Sequence, residues 1–291
     1  MDSGILNVAK PIGLSSFGVV RSIGRLPGIV KVGHGGTLDP AADGVLPVLV
    51  NAATRLADFV HQWPKTYVAE AVFGFVSDTY DREGSITPFA DPGRLSAAEI
   101  ASQLPFFLGS IAQVPPMFSA LKQGGEPLYR KARRGETVVR PPRTVQVDEI
   151  RLLEYRPETA TARLQIACGQ GTYVRSLMHD LGQRLGSGAY LSSLRRTAYG
   201  PLLWEDAVTP KALAEARAEW SRWLLPLELP IKHWPGMRLD REDAQAVTHG
   251  RSVRAPEGGS GRYRLLDETG RLLGWGVAES GRVLVKAVLA P

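Results

Sequence analysis

The chain has 291 residues, 44% of them hydrophobic, and a formal net charge of +6, enough for one large domain or a main domain with a small appendage around a sizeable core. Its one cysteine, Cys168, excludes an intrachain disulfide and a thiolate metal cluster, and no apolar run reaches the length of a membrane span. The scattered histidines have no metal-ligand spacing, no glycine-rich string suits a dinucleotide or triphosphate, and the first residues lack an export signal, so no metal, no cofactor and a cytoplasmic location are expected.

Residues 5–8 read as a short strand closed by KPIGLSS. Ser15 or Ser16 can cap a helix there that carries Val19, Val20 and Ile23 and ends near Pro27. Residues 32–48, VGHGGTLDPAADGVLPV, hold four glycines and two prolines and cannot run through as one regular helix or strand. They read as a shaped loop with Asp39 at its tip, re-entering the core through Val45, Leu46, Val48 and Leu49. Pro40 biases Asp39 towards extended backbone and fixes the direction of its carboxylate. Glycines 33, 35 and 36 permit torsions and close approaches, and His34 is the only other ionisable group in the loop before Asp39. The plain alternative is a tight turn in which Asp39 hydrogen-bonds its own backbone.

Asn51 can cap a helix running to Trp63. Residues 66–75 then alternate, with Tyr67, Ala69, Ala71, Phe73 and Phe75 on one face of a strand. SDTYDREG follows as a turn built by Asp78 and Asp81, and then a helix over 96–104. Between residues 122 and 143 there are seven basic and two acidic side chains, nearly the whole excess charge of the chain, as for a polyanion-binding surface. Residues 145–155 and 161–168 read as paired strands. In GQGTYVRSLMHDLGQRLG, Thr172 is a natural N-cap, and Val174, Leu177, Met178, Leu181 and Leu185 share one helical face. Arg175 lies about 100° from Val174 in the first turn, where the helix dipole disfavours a cation, so something else must hold it. A further strand starts at AYLSSLRR, a helix covers 210–225, and prolines mark a linker over 226–235. A short helix near 241–247 and three strands around Tyr263, Leu272 and Val283 complete the chain.

Several of these strings resemble, in the same order, the signatures of pseudouridine synthases of the TruB type, which isomerise the T-loop uridine, position 55, of tRNA. They are KPIGLSS, GHGGTLDPAADGVLPV, KTY at 65–67, SDTYDREG, SALKQGGEPLYRKAR and GTYVR at 171–175, all within the first 225 or so residues. The resemblance implies that Asp39 is the catalytic aspartate, Arg175 its partner, and Tyr67 a base-packing residue placed for proton transfer. It implies that Tyr173 and Leu194 wall the base pocket with Arg195 and Arg196 near the cleft, that Asp81 lies near the substrate, and that His34 fills the space vacated by a flipped base. Lys10 and its turn would support the catalytic loop. Residues 122–143, with Lys122 at their start, would be an insertion that closes over the RNA stem-loop and grips phosphates. Gly35 and Gly36 depart from the family, which often has another residue between the histidine and a glycine, and are expected to loosen the loop slightly. The last 60 or so residues resemble a PUA-type RNA-binding appendage.

Isomerisation breaks N1–C1′ and forms C5–C1′; nothing is oxidised and no group is imported, so the absence of nucleotide and metal motifs fits it. One ionised carboxylate, stabilised by an arginine, is the requirement. The residues leave open whether that carboxylate attacks C1′, attacks C6 or abstracts a ribose proton. A non-catalytic tRNA-binding chaperone and a carboxylate-dependent glycosylase are the competing readings; the second needs another carboxylate near Asp39, for which Asp78 and Asp81 are candidates. The expectation is a mixed α/β (α+β) pseudouridine synthase fold with a largely antiparallel central sheet. It comprises a catalytic domain at 1–230 and a PUA-like β domain at 231–291, acting as a monomer on tRNA without a protein partner or a membrane.

Overall fold

The computed structural model describes residues 2–93, 95–119 and 121–290. Strand β1 (Gly4–Lys10) is buried along its length and turns into α1 (Ser16–Ile23), where the Ser15 hydroxyl caps by accepting from the Gly18 amide at 3.0 Å. Val19, Val20 and Ile23 form the buried side of α1. Strand β2 (Val32–His34) pairs antiparallel with β3 (Asp43–Val50), and the chain between them is the Asp39 loop.

Asn51 does not cap a helix. It sits at φ 53, its Oδ1 accepting from the Val30 and Lys31 amides and its Nδ2 donating to the carbonyls of Asp2 and Gly28. The expected helix over 51–63 is instead a 3-10 stretch (Asn51–Leu56) followed by the short α2 (Ala57–His61). Strand β4 (Lys65–Phe73) buries Lys65, Tyr67, Ala69, Ala71 and Phe73 in strict alternation. Gly74, at φ 93, breaks that register, so Phe75 begins β5 (Phe75–Ser77) exposed rather than on the Tyr67 face. β5 pairs with β6 (Ile86–Pro88) around the SDTYDREG turn.

A Ser96–Glu99 capping box opens α3 (Ala97–Gln103), and β7 (Gly109–Gln113) follows. The basic segment holds β8 (Lys122–Gln123), β9 (Glu126–Pro127) and α4 (Leu128–Arg133). β10 (Arg143–Arg156) and β11 (Thr161–Cys168) pair antiparallel. Then come α5 (Val174–Arg184), β12 (Ala189–Tyr199) and β13 (Leu202–Leu203). The helix expected over 210–225 is cut short: α6 (Pro210–Ala216) stops where Arg217 takes φ 48, and a 3-10 stretch (Arg217–Trp223) leads into β14 (Leu224–Leu225).

These strands form one sheet in the order β14-β1-β3-β12-β4-β11-β10-β7, with β2 beside β3 and β13 beside β12. Every neighbouring pair is antiparallel except β3 and β12, which run parallel where Arg195 meets Asp43 and Arg196 meets Gly44. Leu177, Met178 and Leu181 of α5 pack with Tyr67, Ala69 and Phe73 of β4 in one core cluster. α1 and α6 pack with β1 and β3 in another. The Asp39 loop therefore returns to the sheet at its one parallel joint. Gly44 is required there: it takes φ +128, and a Cβ would run into the Arg196 backbone. Gly44→Ala is expected to cost at least about 2 kcal/mol in chemical denaturation, through strain at the joint.

The remaining strands, β15 (Gly236–Arg238), β16 (Val253–Arg254), β17 (Gly261–Leu266), β18 (Leu272–Glu279) and β19 (Arg282–Val288), make a second sheet in the order β15-β17-β18-β19-β16, with α7 (Arg241–Thr248) against it. Residues 226–235 are not a free linker. Ile231 is fully buried, and Trp234 packs edge-on against Phe59 at 4.9 Å and Trp275 at 5.4 Å, so the second sheet is docked on α2. Apolar burial overrides the proline content here.

Candidate active site

The Asp39 loop is pinned residue by residue. The Tyr199 hydroxyl donates to the Gly35 carbonyl. Arg196, fully buried, directs its three nitrogens to the carbonyls of Val45 (2.7 Å), Thr37 (3.3 Å) and Gly36 (3.1 Å). The Ser16 hydroxyl both accepts from the Leu38 amide at 2.8 Å and donates to the Leu38 carbonyl at 3.1 Å. The Gly13 amide donates to the Pro40 carbonyl, and Lys10 Nζ donates to that of Ala42 at 2.6 Å. Burial lowers the Lys10 pKa to about 8, with the Asp43 and Asp39 carboxylates opposing it. Gly35 and Gly36 do not loosen this loop. A Cβ on Gly36 would lie 2.7 Å from the Tyr199 hydroxyl, and one on Gly35 would overlap Val60.

At the tip, the Asp39 carboxylate makes no turn with its own backbone; both oxygens face Arg175, at 3.0 Å from Nε and 3.4 Å from Nη2. That two-point geometry fixes direction as well as charge. Arg175 is 5% exposed and fully engaged: Nη1 meets Asp81 at 3.2 Å and the Thr79 carbonyl at 3.2 Å, and Nη2 donates to the Phe118 carbonyl at 2.8 Å. The cation that the helix dipole disfavours is thus held between two carboxylates. Asp81 is buried in turn, accepting from the Thr79 hydroxyl at 2.6 Å and the Glu83 amide at 3.0 Å. Enclosure by the chain pushes the Asp39 carboxyl up from its ordinary 3.8; Arg175 pulls it back, and Asp81 adds to the push.

Asp39, Asp81, Arg175 and Leu194 line one cleft, together with Arg82 and Ser192. Tyr67 and Tyr173 stand within the field of Asp39; burial holds both phenols above their ordinary value, so both stay protonated at neutral pH. Thr172 does not cap α5. Tyr173 occupies the cap position, and the Gln113 side chain brackets it, accepting from its amide at 2.8 Å and donating to its carbonyl at 3.0 Å. Tyr67, Tyr173, His34 and Lys122 lie outside the cleft lining. His34 sits on β2 with a buried, unpartnered Nδ1, its pKa lowered by burial and then by His61. Lys122 is exposed on β8.

The pinning roles of Arg196 and Tyr199 are not visible in the sequence: the resemblance places Arg196 only near the cleft and gives Tyr199 no role. Their signal is weak because β12 carries irregularities between Leu191 and Ser193 and between Arg196 and Ala198, which break the alternation that would mark them as inward-facing. Gln113 carries no signal: it acts from β7, 60 residues away in sequence. In the basic segment both acids are taken by Arg134, which meets Glu126 and Glu136 at 2.6 Å. Among the described residues, Lys122, Arg130, Arg133 and Arg143 are left exposed with no ion pair. No group of His, Cys, Asp or Glu among the described residues is arranged to hold a metal ion, and no helix there is long and apolar enough to cross a membrane.

Family profiles cover almost all of the chain. The TruB family pseudouridylate synthase N-terminal domain matches residues 25–174, the tRNA pseudouridylate synthase B C-terminal domain matches 175–231, and the C-terminal domain of pseudouridine synthase II TruB matches 235–289. The tRNA pseudouridine synthase B of Syntrophomonas wolfei is 41% identical over 99% of this chain and 97% of its own length. That of Pseudomonas aeruginosa is 39% identical over 99% and 96%. Among solved structures, a chain of a Cbf5-Nop10-Gar1 complex superposes with a TM-score of 0.74 at 28% identity, covering 100% of this chain and 86% of that one. A chain of an H/ACA RNP bound to a substrate RNA containing 2′-deoxyuridine superposes with a TM-score of 0.72 at 26% identity, over 99% and 85%. With its profiles in sequence order and relatives at this identity over the full length, the chain belongs to the TruB family of pseudouridylate synthases.

Proposed function

We propose that this enzyme converts the T-loop uridine of tRNA, position 55, to pseudouridine, with Asp39 as its catalytic carboxylate. The observation that carries the reading is the pinned loop that presents Asp39 bidentately to a buried Arg175, beside Asp81 and Leu194. The target base is stacked inside an RNA loop and must be extruded to reach Asp39. Leu194, Tyr67 and Tyr173 then hold its flat faces, and His34 fills the gap left in the RNA. N1–C1′ breaks, the base turns, C5–C1′ forms, the C5 proton leaves to water and N1 gains one. Tyr67, kept protonated by burial, is the hydroxyl nearest in role to that proton traffic.

The exposed cations of residues 122–143 grip the stem phosphates, and the unit after residue 230 adds a second RNA contact. The chain acts as a monomer in the cytoplasm without a protein partner. Two measurements test this. A T-loop stem-loop carrying tritium at C5 of the target uridine should release tritium to water; tight binding without release would move the weight to a tRNA-binding chaperone. Free uracil in the supernatant would instead mark a glycosylase. Substituting Arg130 and Arg133 by Ala should weaken RNA binding and flatten the log affinity against log salt slope by about one for each residue removed. Tritium release at saturating RNA should change little.

A further inference from the structure

Helix α5 brings a second side chain to the same turn that Arg175 grips. His179 is one helical turn beyond Arg175, on the same face. Its imidazole lies flat on the Tyr80 ring, with centroids 3.9 Å apart and planes 13° from parallel. Tyr80 is the residue between the two groups that Arg175 Nη1 holds, the Thr79 carbonyl and the Asp81 carboxylate. Among the described residues it is also one of five other than glycine at positive φ, here 66, a conformation that costs a side-chain-bearing residue energy and persists only where the surroundings impose it. Backbone bonds pin both sides of Tyr80. Its amide donates to the Ser77 carbonyl at 3.1 Å, its carbonyl accepts from the Leu191 amide at 3.0 Å, and the Arg82 amide donates to the Leu191 carbonyl at 3.0 Å.

A relaxation of φ at Tyr80 would turn the Thr79 carbonyl and the Asp81 carboxylate relative to each other, and both are partners of a single nitrogen of Arg175. We propose that His179 is a positioning residue: its ring clamps Tyr80 in the left-handed conformation and so fixes the Arg175 guanidinium that faces Asp39. The proposal rests on the reading of Asp39 and Arg175 as the reacting constellation. The clamp acts through the face of the ring. Nδ1 of His179 is buried without a hydrogen-bond partner, and burial keeps the imidazole neutral, so neither a hydrogen bond from Nδ1 nor a charge carries the contact. A flat apolar ring of similar size should therefore serve.

The test compares wild type, His179→Ala, His179→Phe and Tyr80→Leu in the full-length chain. Single-turnover tritium release from the stem-loop and RNA affinity are measured at a temperature where circular dichroism shows each variant folded. The expected result is a fall of about tenfold or more in the single-turnover rate for His179→Ala and Tyr80→Leu, with RNA affinity within about twofold and His179→Phe close to wild type. A core-filling role would lower the melting temperature of His179→Ala and leave the rate of its folded fraction unchanged, which overturns the proposal. Equal loss in His179→Phe and His179→Ala also overturns it, by assigning the effect to a ring nitrogen. If His179→Ala does not fold, Tyr80→Leu decides alone from the other ring of the stack: a wild-type rate there rejects the clamp. Wild-type protein that releases no tritium rejects the underlying reading of the site. Wild-type release with unchanged variants rejects only the role of His179.

Discussion

Asp39→Asn is expected to lower tritium release by at least about 10⁴-fold, some 5 kcal/mol of transition-state stabilisation, while leaving tRNA affinity nearly unchanged. The amide keeps the size and one acceptor but replaces an anionic oxygen by an amino group that faces the Arg175 guanidinium, donor against donor. The same substitution should be mild for stability, within about 1 kcal/mol, because the side chain is 39% exposed and its ion pair is solvent-screened on one side. The pH dependence of stability separates the two effects. Enclosure raises the folded-state pKa of Asp39 above its ordinary 3.8. Between those two values the folded chain holds more proton than the unfolded one, so wild type loses this contribution as pH rises through the window. The amide of the variant does not titrate, so its melting temperature relative to wild type should climb over the same window. A variant that is both inactive and less stable than wild type by several kcal/mol at neutral pH would mean that Asp39 is a structural anchor.

The same loop shows what can be read without a structure. The Asp39 loop is legible because glycines and prolines at fixed places forbid regular structure, and because a cation in the first turn of α5 demands an anionic partner. The strands β4, β10 and β11 are legible from their alternation, most cleanly in β4 and β11. What fails are the local rules that tertiary contacts override. Asn51 looks like a cap, yet its amide is used to join the chain start to residues 28–31. Thr172 looks like a cap, yet Gln113, distant in sequence, supplies the bracket. The prolines of 226–235 look like a linker, yet Ile231 and Trp234 carry enough apolar surface to dock the segment on α2. The loop supports Arg196, Tyr199 and Ser16 escape for a related reason. They act through backbone carbonyls and amides, which no sequence pattern displays.

Arg175→Met carries the largest combined effect. Met approximates the length of the aliphatic stem but leaves Asp81 buried with its guanidinium partner gone, and it strips donors from the Thr79 and Phe118 carbonyls. Removing one partner of a buried pair costs about 3–5 kcal/mol, which for a chain of this size lowers the melting temperature by on the order of 10 °C. Arg175→Lys restores the charge, but one ammonium with three donors cannot reach Asp39, Asp81 and both carbonyls together, so it should recover part of the stability and little activity. The pH profile adds a sign. Arg175 is the main influence pulling the Asp39 carboxyl back down against burial, so its loss moves that pKa further up. On the proposed role of Asp39, in which the ionised form is the active one, the acid limb of kcat/KM for residual activity should shift to higher pH in Arg175→Met and less in Arg175→Lys. An acid limb that stays in place in both variants would show that the group titrating in the wild-type profile is not Asp39.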